Sequence, residues 1–168
     1  MKTLLLVRHA KSSWDNVMLP DFDRPLNDRG KEDAPQMAGR IKDKQISIDL
    51  FISSPAKRAK KTAKIFMDIF YADKKDLILV PNLYEASVID FYNTLEMVDD
   101  KHNNVALFSH NPGITEFANS LTEHKIDNIP TCGVFAISTQ IKKWREFRLA
   151  DKALLFFDYP KASGEAVD

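Results

Sequence analysis

Four short stretches hold residue types that could do chemistry on a phosphoryl group. The apolar run Leu4-Leu5-Leu6-Val7 stops at Arg8 and His9. "SSPAKR" sets Ser53, Ser54 and Pro55 ahead of Arg58. "NLYEAS" carries Glu85, and "FSHNPG" carries His110 between Ser109 and Asn111. Guanidinium groups and imidazoles gathered in one place favour a tetrahedral oxyanion such as phosphate. A neutral imidazole nitrogen is also a good nucleophile toward phosphorus. Arginines on the equatorial oxygens would neutralise the charge that moves with the phosphoryl group, the largest contribution in such chemistry. The same arginines lower the pKa of a neighbouring imidazole and keep it neutral. The leaving group then needs a proton. Glu85 is the carboxylate best placed to act as general acid, then as general base toward water.

These residues meet only if the elements that carry them end at one edge. "LLLV", "DLFIS", "LILV" and "NVALFS" read as strands, the continuous apolar runs suiting strands buried on both faces. Between them, Ala34, Met37, Ala38 and Ile41 recur at helical spacing after a cap at Asn27 or Asp28, with Pro35 confined to the first turn or kinking the helix. A second helix is expected to start at Pro55, with an inner stripe of Ala59, Thr62, Ala63, Phe66, Ile69 and Phe70. A third is capped by Ser87, and a fourth by Asn111 with Pro112 at its first position. "GVFAIST", "WREFRLA" and "ALLFFDY" read as three closing strands, the late ones able to form an antiparallel hairpin, before a loose tail of about ten residues. Strand alternating with helix predicts a three-layer α/β/α fold with a mostly parallel central sheet. In such sheets ligands bind beyond the carboxyl ends of the strands, where Arg8-His9, Ser53-Ser54 and Ser109-His110 all fall. Arg58, in the first turn of its helix, leans back over the strand end, and two helix N-termini add positive dipole ends.

The bulk composition narrows the partners. At 168 residues the chain predicts one domain over 1–168, and 44% hydrophobic content excludes disorder. A formal net charge of zero gives no support to nucleic acid held by bulk charge. One cysteine, Cys132, excludes an internal disulfide framework and favours a reducing compartment. No run is long enough for a signal peptide core or a bilayer span, so the expectation is a cytoplasmic protein without a membrane partner.

Taken together and in order, "LLLVRHAKSSW" with "RPLNDRG", "SSPAKRAKKTA", "LYEAS" and "SHNPGI" resemble the histidine phosphatase superfamily, the phosphoglycerate mutase-like fold. The "RPL…RG" and "LYEAS" wording is similar to its SixA-like, phosphohistidine phosphatase branch. The resemblance implies that His9 takes the phosphoryl group covalently and water releases it. It implies that Arg8, Arg58 and His110 form the phosphate pocket, and that no metal or organic cofactor takes part. Three positions depart from the common pattern. Ala10 stands where glycine is usual, Asp15 where asparagine often touches the phosphate, and Ser109 where glycine often precedes the histidine. A carboxylate would repel phosphate, so Asp15 is left out of the pocket.

Other polar residues have plainer readings. Arg24 either lines the rim, with Ser12, or pairs with Asp21 or Asp23. Asp21 and Asp23 have no histidine near them in sequence and read as a surface loop rather than a metal site. Lys57, Lys60, Lys61 and Lys64 read as a solvated helix face, although they could draw an anionic partner toward the pocket. His102 and His124 read as solvated, Cys132 as a small packed residue, and Trp14 as core. The short stretch between the third and fourth strands leaves no room for a large lid. An uncovered pocket suits phosphohistidine on a phosphotransfer protein, and equally a broad range of small phosphomonoesters. A mutase is disfavoured because it must exclude water. A non-catalytic phosphate-recognition module is the alternative of another class.

Overall fold

The computed structural model describes residues 1–162. The first strand, β1 (Lys2–Arg8), is central because Leu4 to Val7 are fully buried. It is followed by α1 (Asp28–Asp43), β2 (Leu50–Ser53), α2 (Lys57–Ile69), β3 (Leu77–Leu79), α3 (Val88–Glu96), β4 (Asn104–Ser109), α4 (Gly113–Leu121), β5 (Val134–Thr139) and β6 (Lys152–Asp158). One six-stranded sheet runs β3-β2-β4-β1-β5-β6. β3, β2, β4 and β1 are mutually parallel, and β5 runs antiparallel to both β1 and β6. The sheet is therefore mixed, with a parallel body and the antiparallel hairpin at one edge.

Alternate side chains of β1 enter two different cores. Leu4 and Leu6 pack with Phe91 and Leu95 of α3 and Ile114 and Phe117 of α4. Leu5 and Val7 pack with Met37 and Ile41 of α1 and Phe66 of α2. This is the three-layer arrangement expected from the sequence. At roughly 1.5–3 kcal/mol for each large side chain fully withdrawn from water, the four residues of β1 alone anchor both layers.

Several local expectations are corrected. "WREFRLA" is not a strand. Trp144–Leu149 forms a 3-10 helix whose Trp144 and Phe147, three residues apart, face the core together. α2 begins at Lys57 rather than Pro55, with Ala56 at the cap. Its Ile69 and Phe70 are only half-buried, while Met67 is buried instead. α4 begins at Gly113 with Pro112 as cap residue, because the Asn111 side chain is spent on Asn128, the Ile129 carbonyl and Thr115. Pro35 lies well inside α1. Its missing N–H deprives only the carbonyl of Lys31, an exposed residue. Trp14 is 69% exposed, not core. Most of the expected tail, residues 163–168, falls outside the described residues, and the Pro160 carbonyl just before it accepts from Arg40. Among the described residues no helix is long and apolar enough to cross a membrane.

Candidate active site

The register of the parallel strands brings the motifs together. Arg8 at the end of β1 lies opposite Ser109 of β4, and Phe108 of β4 lies opposite Ser53 of β2. The three strand ends are thus adjacent at one edge of the sheet. Residues 9 and 110 follow directly, and their rings approach to 5.1 Å between centroids. Both histidines and Arg58 are buried, at 7%, 8% and 6% exposure.

The loop holding His9 is fixed on every side. Its N–H donates to the Ser109 carbonyl, and the Cys132 N–H donates to the carbonyls of Arg8 and His9. The Ala10 N–H donates to Thr62 Oγ1 at 3.0 Å, reaching from the loop to α2. Ala10 has no positive φ, so alanine meets no backbone penalty here. The glycine of "DRG" acts one layer away. A Cβ on Gly30 would sit 2.2 Å from the Lys11 carbonyl oxygen, so only glycine lets α1 pack this close to the His9 loop.

Ring hydrogen bonds assign the histidine nitrogens. His9 Nδ1 lies 2.8 Å from the Ala10 carbonyl, an acceptor only, so Nδ1 carries the proton and Nε2 keeps a lone pair. His110 Nε2 lies 2.7 Å from Ser54 Oγ, and that oxygen already accepts the Ala56 N–H. The Ser54 hydroxyl hydrogen has no other acceptor among the described residues, so it is assigned to His110 Nε2. His110 then carries its proton on Nδ1, which is buried without a protein partner. A lone pair on one ring and an unpaired donor on the other suit a nucleophile and an oxyanion donor. Burial pushes both imidazoles down from 6.5 to about 3, with Arg58 and Arg8 adding to the shift in each case. Both rings are neutral at physiological pH. Arg8 donates to the Ile129 carbonyl at 3.0 Å and leaves Nε buried and unpartnered.

The sequence left Arg24 open between rim and ion pair. The structure pairs it with Asp21 at 2.9 Å, bonds it to the Ser13 carbonyl and Ser12 Oγ, and lays it 3.3 Å over the Trp14 ring. Ser12 is buried beneath Arg24 rather than set at a rim. The stacked guanidinium gives the exposed Trp14 ring a cation–π partner. Asp21 was the residue missed. Its carboxylate also accepts from Arg58 at 2.9 Å and from the Tyr84 hydroxyl at 2.6 Å. Its backbone carbonyl takes a further bond from Arg58 at 2.6 Å. The Tyr84 hydroxyl and the two arginines hold Asp21 well below the usual carboxylate range, so it is ionised. A pairing of Asp21 with Arg24 was legible in "DFDR"; one with Arg58, 37 residues on, was not.

Asp21, Arg58, Tyr84, Glu85, His110 and Gly113 line one cavity of about 500 Å³. Glu85 is exposed and has φ 58°, a left-handed backbone for a non-glycine residue. A Cβ on Gly113 would meet the Ala86 carbonyl oxygen at 2.2 Å, so the start of α4 presses directly on this loop. Ser109 ties the same region down by donating to the Leu83 carbonyl at 2.7 Å. Asp15 lies elsewhere, in a cavity shared with Asn16 and Arg29. Cys132 is fully buried, and desolvation pushes its thiol up. His124 is exposed, while His102 is half-buried near Asp49.

The profile of the histidine phosphatase superfamily (branch 1) matches residues 4–123. The fold is similar to a SixA structure from Agrobacterium tumefaciens, assigned as a phosphohistidine phosphatase, with TM-score 0.76 and 24% identity over 95% of this chain and 98% of that one. It is also similar to the protein histidine phosphatase SixA solved with tungstate, with TM-score 0.80 and 18% identity over 94% and 97%. A mycobacterial glucosyl-3-phosphoglycerate phosphatase solved with VO3 aligns with TM-score 0.69 and 14% identity over 95% and 100%. At these identities the structural likeness carries the fold, and the SixA-like branch suggested by the motifs is represented among the neighbours.

Proposed function

The chain belongs to the histidine phosphatase superfamily, and from that premise we propose a phosphatase that works through a covalent phosphohistidine on His9. The observation that carries this reading is the spent Nδ1 of His9. That bond to the Ala10 carbonyl leaves the Nε2 lone pair free beside Arg8, Arg58 and His110.

In the first step Nε2 forms a bond to phosphorus as the bond from phosphorus to the leaving nitrogen or oxygen breaks. Arg8 and Arg58 hold the equatorial oxygens, and His110 donates from Nδ1 to one of them. Glu85, which lines the cavity with Arg58 and His110, supplies the proton to the leaving group and then takes one from the attacking water. Water breaks the bond between His9 and phosphorus and releases inorganic phosphate. The step calls on no metal, since guanidinium groups carry the charge neutralisation. Arg24 and Ser12 act from behind, holding Asp21 and through it Arg58.

The proposed substrate is phosphohistidine on a phosphotransfer protein. Between β3 and β4 the chain supplies only a 3-10 turn (Pro81–Leu83) and the nine-residue α3, too little for a lid. The glucosyl-3-phosphoglycerate phosphatase among the neighbours favours the second reading, a small-molecule phosphomonoesterase. Hydrolysis of an aryl phosphate by wild type and His9→Ala tests the chemistry. Loss of turnover in His9→Ala is expected. Equal rates would remove His9 as nucleophile, and tight phosphate binding without turnover would make the protein a recognition module. Faster turnover of a sugar-phosphate panel than of histidine-phosphorylated phosphotransfer domains would select the small-molecule reading.

A further inference from the structure

A second cavity, of about 550 Å³, lies immediately beside the phosphate pocket. Lys31, Lys57, Lys60, Lys61 and Lys64 line it, against a single carboxylate, Asp23. None of these five lysines has a carboxylate within ion-pair distance among the described residues. The chain as a whole has equal numbers of acidic and basic residues, so this concentration of positive charge is local.

The cluster works against the helix that carries it. Lys57, Lys60, Lys61 and Lys64 stand three and four residues apart on α2, where like charges repel. Two of them, with Arg58, occupy the first turns, at the positive end of the helix dipole, and that turn contains no acidic residue. Asp21 pairs with Arg58 and Asp23 is the one carboxylate in the lining, so most of this repulsion is left for a bound polyanion to offset.

The floor of the cavity is apolar, made by Phe22, Leu26 and Pro55. Two of these residues connect it to the phosphate pocket. Asp21 faces that pocket while its neighbour Phe22 faces the lysines, and Pro55 follows the Ser54 that bonds His110. Whatever fills both spaces must pass over the Asp21–Asp23 turn, and a simple phosphomonoester is too small to do so. From Lys57 to Lys64 the stripe extends roughly 10 Å along α2, the length of about three residues of extended chain. Phe22 is the one aromatic ring lining the cavity, and it meets the Tyr84 ring at 88° with centroids 5.2 Å apart. A single ring offers no succession of platforms for stacked bases.

We propose that this cavity is a docking site for an acidic segment of a phosphorylated polypeptide, flanking the residue whose phosphoryl group enters the His9 pocket. The carboxylates of the segment meet the lysines, and its aliphatic carbons lie on Phe22 and Leu26. The proposal rests on the phosphatase reading and adds to it a site that selects the sequence flanking the phosphorylated residue.

The test uses histidine-phosphorylated peptides of two kinds, with glutamate-rich or glutamine-rich flanks, together with an aryl phosphate. The enzymes are wild type and the variant K57Q/K60Q/K61Q/K64Q, since glutamine preserves helix propensity. Wild type should favour the acidic flank by about tenfold or more in kcat/KM at low salt. The preference should vanish in the variant and at high salt, with aryl phosphate turnover unchanged. The milder K60Q/K64Q should fall between the two if the quadruple variant folds poorly. Binding of the same peptides to His9→Ala, read by fluorescence polarisation, reports docking even if no phosphatase turnover is found. Equal handling of both flanks by wild type, or a preference retained in both lysine variants, overturns the proposal. So does displacement of the acidic peptide by an oligonucleotide of equal charge at lower concentration.

Discussion

Acidification should unfold this protein from its active site. His9 and His110 are buried and held near 3, against 6.5 for an exposed imidazole. Between those two values the unfolded chain takes up protons that the native state refuses. Stability is therefore fully present above about pH 6.5 and falls as pH drops toward 3. Each site contributes a slope of about 1.4 kcal/mol per pH unit, or about 2 kcal/mol lost at pH 5. At pH 5 the two together have removed about 4 kcal/mol, a large part of the 5–15 kcal/mol typical of a whole domain. Asp21 does not confuse the window. Its lowered pKa contributes stability that is lost only below the ordinary carboxylate value of 3.8.

The assay is urea unfolding at several pH values between 8 and 5, for wild type, His9→Asn and His110→Asn. Slopes are compared rather than absolute stabilities, because replacing either ring also breaks a hydrogen bond at a cost that does not depend on pH. Each variant should lose about half of the wild-type pH dependence or more, since His9 also contributes to the lowering at His110. A flat wild-type profile, or variants that keep the full wild-type slope, would refute the claim that these rings are neutral and desolvated. The same result would remove the argument for His9 as a neutral nucleophile.

Three further outcomes follow from the geometry. Thr62→Val should cost about 1–3 kcal/mol, because it strands the buried Ala10 N–H; calorimetry measures the loss, and kcat on an aryl phosphate should fall as the His9 loop loosens. Asp21→Asn should tighten tungstate or phosphate binding several-fold by isothermal titration, since a carboxylate that competes with the anion for Arg58 becomes neutral; weaker binding would mean that Asp21 matters more for holding Arg58 in place. Cys132 should resist alkylation in the native protein and react only on unfolding, as its burial and raised pKa require; mass spectrometry after brief iodoacetamide treatment checks this.

Much of the site was legible because polar residues interrupt apolar runs at strand ends. Arg8, His9, Ser54 and His110 break the pattern where a parallel sheet sends its ligands, so their types and positions sufficed. "WREFRLA" misled because Phe147 and Leu149 alternate as in a strand, whereas the structure pairs Trp144 with Phe147, three residues apart, and exposes Leu149. Only the tertiary partners of Trp144, including its indole bond to the His102 carbonyl, decide between the two patterns. Trp14 misled for a related reason. Its ring is covered by a cation, Arg24, and not by hydrocarbon.

Asp21 shows where reading from sequence stops. Nothing local separates it from Asp23, two residues away in the same short turn. The difference arises because the strand order β2-β4-β1 sets α2 beside the loop that follows β1. Arg58 then reaches Asp21, and Tyr84 reaches it from beyond β3. A carboxylate that ties three distant segments together, while occupying the guanidinium that phosphate needs, is a property of the assembled edge. Asp21 therefore holds Arg58 in place, and an entering anion would compete with its carboxylate for that guanidinium. The Asp21-Phe22-Asp23 turn is thus the boundary between the two cavities, Asp21 lining the one with Arg58 and His110, and Phe22 and Asp23 lining the lysine groove.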